Sequence, residues 1–215
     1  MYKRTSSKLT CFTKNILFFS FLLCSLSIYA GQEKIINDHP GTGPIAIIGD
    51  SLARGRGAEN LENTPANCFR KNFPGNVNEL AVDGRTSLQL LEDLDAPVNL
   101  KPKLIFVSSG GNDAINDVYF KDYPEQKTLT EIPQIFDKLL ATGALVVYLG
   151  LNPPFPEAAR LPKVSDIART KGVLVVDGMN GLWQSDKMWD DFHPNDLGYQ
   201  EMCKKIFEAV KGHYP

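Results

Sequence analysis

A chain of 215 residues that holds only four cysteines, three histidines and two tryptophans leaves little room for several kinds of chemistry. No pair of Cys or His stands at metal-ligand spacing, so no metal is expected, and no motif implies another cofactor. Charge of one sign is equally scarce. The chain has 23 basic residues against 25 acidic ones, a net −2, and no basic stripe to follow a phosphate backbone, which argues against nucleic acid as a partner. The longest apolar run, Ile16 to Ile28 ("ILFFSFLLCSLSI"), falls short of the ~20 residues needed to span a bilayer. No internal repeat, low-complexity tract or interdomain linker breaks the sequence.

That apolar run has a telling context. Lys3, Arg4, Lys8 and Lys14 precede it without any acidic residue, which predicts a secretory signal over residues 1–30 with cleavage after Ala30. Ile28 stands where a small residue is preferred, so an uncleaved N-terminal membrane anchor is the alternative. Leu23 before Cys24 speaks against a lipoprotein. Removing the four basic residues of the leader leaves 19 basic against 25 acidic side chains in residues 31–215, enough chain for one domain with its own core. The expected location is the periplasm or the exterior. Cys68 and Cys203 then remain, and an exported chain permits one disulfide, though spacing alone cannot show that the two meet. The simpler expectation is two small buried apolar residues.

From Ile45 onward, short apolar runs alternate with helical patterns. Strands are predicted at Ile45–Ile48, Val77–Val82, Leu104–Val107, Leu145–Leu149 and Val173–Val176. Helices are predicted at Ala66–Asn72, Ser87–Asp95, Leu129–Thr142, Pro162–Lys171 and Asp196–Lys211. Short, fully apolar strands between helices indicate a parallel sheet covered on both faces. The expected fold class is α/β: one three-layer α/β/α domain around a five-stranded parallel sheet. Ligands of such sheets bind beyond the carboxyl ends of the strands.

Four short blocks fall at or near those ends: Gly49-Asp50-Ser51-Leu52, Asp83-Gly84-Arg85-Thr86, Gly110-Gly111-Asn112-Asp113 and Asp190-Asp191-Phe192-His193-Pro194-Asn195. Together they contain the parts that acyl transfer requires: a hydroxyl nucleophile, a base, a group that fixes the base's tautomer, and donors for an oxyanion. Ser51 is the candidate nucleophile and His193 the candidate base. Asp190, three residues earlier, can reach the imidazole Nδ1, with Asp191 as its rival. The Ser51 and Gly84 backbone N–H groups and the Asn112 side-chain amide are the candidate oxyanion donors, Gly84 because no Cβ stands in the way of a close approach. Of the other histidines, His39 lies in a Pro/Gly-marked lead-in and His213 close to the end of the chain. Asp50 and Asp113 read as structural, bonding local amides, and Asn195 as the cap of the last helix.

"GDSLARGRG", "VDGRTS", "SSGGNDAI" and "DDFHPNDLGY" resemble the four motifs of the SGNH (GDSL) hydrolase superfamily, in order and with family-like spacing across the whole chain after the leader. The likeness is greatest to its small bacterial thioesterase/lysophospholipase/arylesterase type. The resemblance implies a flavodoxin-like fold, Ser51, Asp190 and His193 as catalytic triad, and Ser51, Gly84 and Asn112 as oxyanion hole. It also implies a serine esterase acting on lysophospholipid, aryl, short or medium acyl esters, or thioesters. Ser108-Ser109 and "GLNPPFPEAARLP" depart from that type, which bears on substrate rather than on chemistry.

Other readings fit less well. An α/β-hydrolase needs Gly-x-Ser-x-Gly, and residue 53 is Ala. A dinucleotide fingerprint needs Gly-x-Gly-x-x-Gly where Gly-Asp-Ser-Leu stands. An O-acetyl esterase for envelope polysaccharide and a silent carbohydrate- or lipid-binding module on the same fold are the alternatives in function. Arg54, Arg85, Phe155, Trp189 and Phe192 are the candidate substrate contacts, Arg56 flanks them, and Trp183 and Met188 crowd the approach to His193. The expected partner is a small ester or lipid, with transient contact to a membrane surface and a monomeric chain.

Overall fold

Strand residues here bury both faces, and this dictates the layers. Every residue of the strands β1 (Ile45–Gly49), β3 (Leu104–Ser108) and β4 (Leu145–Leu149) is buried. The computed structural model describes residues 34–215, so the predicted leader lies outside the described residues. β2 (Val77–Glu79) and β5 (Leu174–Val176) complete a five-stranded sheet, all parallel, in the order β2-β1-β3-β4-β5. Ile45 pairs with Val77 on one side and with Leu104 on the other, and Leu104 with Leu145 in turn. This is the flavodoxin-like order. Its switch point lies between β1 and β3, where the sheet begins to grow in the opposite direction and a crevice opens.

Alternation along the strands divides the core in two. Ile45, Ile47, Phe106 and Val147 face α2 (Pro65–Asn72) and α8 (Asp196–Val210), meeting Phe69, Tyr199, Met202 and Ile206. Ala46, Ile48, Ile105, Val107 and Tyr148 face the other layer. There α3 (Ser87–Glu92), α6 (Glu125–Leu140) and α7 (Arg160–Thr170) supply Leu90, Ile132, Phe136 and Val164. The remaining helices are short or flank the site: α1 (Ser51–Arg54), α4 (Asp95–Asn99) and α5 (Gly111–Phe120). Among the described residues, no helix is long and apolar enough to cross a membrane.

Two predicted elements come out differently. Strand β2 stops at Glu79 rather than Val82, yet Leu80 and Val82 still donate to Ile47 and Gly49 of β1. The helix expected over Ser87–Asp95 is two helices, because Pro97 has no N–H to continue the first and its ring would clash with the Asp93 carbonyl. In addition, the segment from Gly111 to Phe120, for which no element is predicted, is the ten-residue helix α5.

Cys68 on α2 and Cys203 on α8 form a disulfide, Cα atoms 5.7 Å apart and 135 residues apart in sequence, which corrects the expectation of two unlinked thiols. The bridge ties the helix that follows Ser51 to the helix that follows His193. Closing so long a loop restricts the unfolded chain strongly. Replacing both cysteines by alanine is expected to cost about 2–5 kcal/mol of stability in denaturant unfolding, with the folded chain's circular dichroism unchanged.

Candidate active site

Strand β1 ends at Gly49, whose φ of +114° turns the chain sharply. A Cβ there would lie 1.9 Å from the Ser108 carbonyl oxygen, so β1 and β3 approach each other closely only because the residue is glycine. Asp50 follows as N-cap of α1, its carboxylate accepting from Leu52 N–H at 3.1 Å. Burial pushes the Asp50 carboxyl up from its ordinary range, against the bonds it accepts. Ser51 thus sits at the first position of a helix, where its own N–H has no acceptor within the helix.

His193 arrives from a loop far away in sequence. Its Nε2 lies 2.8 Å from Ser51 Oγ. Its Nδ1 lies 2.9 Å from both carboxylate oxygens of Asp190. Asp190 Oδ1 also accepts from Phe192 N–H at 2.8 Å and His193 N–H at 2.7 Å, so the acid organises the very turn that presents the ring. Burial alone would raise the Asp190 carboxyl, but the bonds from the His193 ring and these two amides outweigh it and hold it below the ordinary value. An ionised Asp190 accepts from Nδ1–H, which leaves the Nε2 lone pair to take the Ser51 proton. The loop is pinned by Trp189 N–H on the His193 carbonyl and by Asn195, which caps α8 through Gly198 N–H at 3.1 Å. Gly57 lets the first loop lie against it, since a Cβ there would meet the Pro194 carbonyl oxygen at 2.5 Å.

Ser51, His193, Gly84 and Asn112 line one cavity of about 550 Å³. The Asn112 amide donates to the Arg85 carbonyl at 3.1 Å, which links the second and third blocks. The space around Gly84 is open where a Cβ would stand, so the reason for glycine there is its φ of +76° and not crowding. Asp113, expected to bond locally, instead accepts from Ser87 N–H and Oγ, 26 residues away.

Of the expected substrate contacts, Phe155 and Phe192 line the cavity, their rings edge-on to each other. Arg54, Arg85 and Trp189 do not line it. The Arg85 guanidinium is spent on the Leu80 carbonyl and Asp93, and Arg54 points to Asp83. Trp189 lies outside, half exposed, beneath the Arg56 guanidinium, and it is Arg56 that reaches the cavity. The wall missed in the sequence is α5, which brings Ala114, Ile115, Val118 and Tyr119 to the cavity that Leu151 and Leu161 also line. Their four-residue steps, 114 to 118 and 115 to 119, carried the signal.

The chain matches the model of the GDSL-like lipase/acylhydrolase family over residues 47–201 and belongs to that family. A Bacillus subtilis (strain 168) protein named YpmR, itself uncharacterized, is 26% identical over 206 residues, 78% of this chain and 81% of that one. Among solved structures, TesA superposes with a TM-score of 0.67 at 21% identity, over 79% of this chain and 98% of its own. The psychrotrophic esterase EstA of Pseudoalteromonas sp., in a form inhibited by monoethylphosphonate, gives 0.64 at 18% identity over 78% of this chain and 96% of its own. The chain is a hydrolase of the GDSL/SGNH kind, with the single α/β domain and five-stranded parallel sheet of that fold.

Asp190→Asn keeps the volume but can donate to Nδ1, which favours the other imidazole tautomer. It is expected to lower kcat by about 10⁴-fold with KM little changed, measured on a soluble ester.

Proposed function

We propose that the protein is a serine esterase that cleaves single-chain acyl esters through an acyl-serine intermediate. The observation that carries this reading is the unbroken hydrogen-bonded series Ser51–His193–Asp190 on the floor of a cavity with one apolar wall. Ser51 Oγ attacks the ester carbonyl carbon as its proton passes to His193 Nε2. The carbonyl oxygen becomes an oxyanion facing the N–H groups of Ser51 and Gly84 and the Asn112 amide. His193 returns the proton to the leaving alcohol as the C–O bond breaks. Water then attacks the acyl-serine, giving its proton to His193, and the carboxylic acid leaves as Ser51 regains its own.

The acyl chain lies along Ala114, Ile115 and Val118 of α5, against Leu151, Phe155 and Leu161. About 550 Å³ with this lining is far more than an acetyl group needs, which favours lysophospholipid-type or aryl esters over O-acetylated polysaccharide. A silent binding module has no use for an imidazole already bonded to a serine hydroxyl. Arg56 and Asp191 mark the polar end, where the alcohol part of the ester leaves. Tyr119 and Phe120, exposed at the end of α5, and half-exposed Trp189 would rest on a lipid surface during transfer of the substrate. The Cys68–Cys203 bridge favours an oxidising compartment, periplasmic or extracellular, where coenzyme A thioesters are absent and oxygen esters are the substrate.

Ser51→Ala is expected to lower kcat on a p-nitrophenyl ester by about 10⁶-fold, and Asn112→Ala by about 10²–10³-fold. Normal turnover by Ser51→Ala would refute the assignment. Across a series of acyl lengths, kcat/KM should rise from acetyl toward medium chains. Ile115→Trp, which narrows the cavity, should shift the optimum back toward acetyl. A preference for acetylated glycan over lysophospholipid would instead establish the O-acetyl esterase reading.

A further inference from the structure

Behind the second and third blocks lies a polar cluster that the reaction does not use. Asp113 is fully buried and Glu131 of α6 nearly so, at 7% exposure. Both carboxylates meet the same hydroxyl: Ser87 Oγ is 2.6 Å from Asp113 Oδ2 and 2.7 Å from Glu131 Oε2. The Tyr123 hydroxyl makes a short contact with the same Glu131 oxygen and stands 3.0 Å from Ser87 Oγ. Ser87 N–H gives Asp113 Oδ1 a further bond at 2.8 Å.

The protons can be counted. Of the four oxygen–oxygen contacts, the three shortest, Ser87–Asp113, Ser87–Glu131 and Tyr123–Glu131, each call for a proton, and the two hydroxyls supply two. The third must sit on a carboxyl. Charge leads to the same conclusion. Two buried carboxylates this close cannot both ionise without a cation, and among the described residues neither forms an ion pair with Lys or Arg. Arg160 of α7, which reaches into the same region, is engaged by the Tyr123 carbonyl, the Thr128 hydroxyl and Asp117. The Lys127 ammonium lies over the Tyr123 ring. The Thr128 hydroxyl and, from β4, Tyr148 are the other titratable or polar groups toward Asp113.

We propose that Asp113 and Glu131 share one proton through Ser87, and by doing so act as positioning residues for the turn that carries Gly84 and the first turn of α5 that carries Asn112. Ser87 is three residues beyond Gly84, and Asp113 directly follows Asn112. The two bonds between Ser87 and Asp113 therefore clamp together the two arms of the candidate oxyanion hole. Burial first, and the Glu131 charge in addition, push the Asp113 carboxyl up, in keeping with a retained proton. Loss of that proton at alkaline pH places two negative charges on either side of Ser87 and loosens the clamp. The catalytic consequence rests on the esterase reading, whereas the shared proton does not.

Infrared difference spectroscopy on the full chain at neutral pH tests the proton. A carboxylic-acid C=O band is expected in the wild type and should disappear in both Glu131→Gln and Asp113→Asn, whose amide N–H replaces it. On a soluble ester, wild-type kcat should fall about tenfold per pH unit once the pair titrates, at unchanged KM, while Glu131→Gln should hold its neutral-pH kcat further into the alkaline range. Stability follows the same sign. The folded chain binds a proton that the unfolded chain releases near pH 4, so wild-type stability declines as pH rises above that value, and Glu131→Gln does not share the decline. Absence of the band, or superimposable alkaline profiles for wild type and Glu131→Gln, would overturn the proposal. Should Glu131→Gln fail to fold, Asp113→Asn provides both readouts. An inactive wild type that still shows the band would count against the esterase reading alone.

Discussion

The bond between Asp190 and the His193 ring is the constraint on which the rest of the site depends. It is made inside a four-residue turn, and the same carboxylate oxygen that accepts from Nδ1 also accepts from two backbone amides of that turn. The imidazole is therefore oriented before it meets anything else, and Ser51, arriving from β1 some 142 residues earlier, finds Nε2 at 2.8 Å. A serine hydroxyl is a poor nucleophile without a base whose free lone pair is fixed in place. Here the fixing is local and the meeting is global.

The global part belongs to the sheet. A parallel sheet of order β2-β1-β3-β4-β5 puts the ends of β1 and β3 side by side at the switch point, with the loop beyond β5 closing over them. Close approach of β1 and β3 requires Gly49, and contact between the first and last loops requires Gly57. The disulfide between α2 and α8 then joins the helices that follow Ser51 and His193. Each device shortens the list of arrangements open to two loops that share no local sequence.

Much of this was legible in the residues. Fully apolar runs such as "LIFV" and "LVVYL", set between helical patterns, read as strands buried on both faces, and the four blocks follow at or near strand ends. Asp190 before His193 could be read because three residues are one turn. Other features escaped because they depend on partners distant in sequence. Nothing near Cys68 announces Cys203. Arg54, Arg56 and Arg85 look equivalent in the chain, and only the fold assigns Arg85 to Asp93 and sends Arg56 to the cavity. The glycine-led "GGNDAINDVYF" carries no predicted helix, since two glycines at the start mask one whose apolar face lines the cavity. Asp113 looked local for the same reason, although its hydrogen bonds reach to Ser87.

The measurement that bears most directly on the central claim is covalent trapping by a fluorophosphonate, read by intact mass and peptide mapping. Such a reagent reacts with a serine only where a neighbouring base activates it. The account predicts one phosphonyl group per chain, on Ser51, with labelling slowed by orders of magnitude when His193 is replaced by alanine. An unlabelled chain, or a label on any other residue, would contradict it.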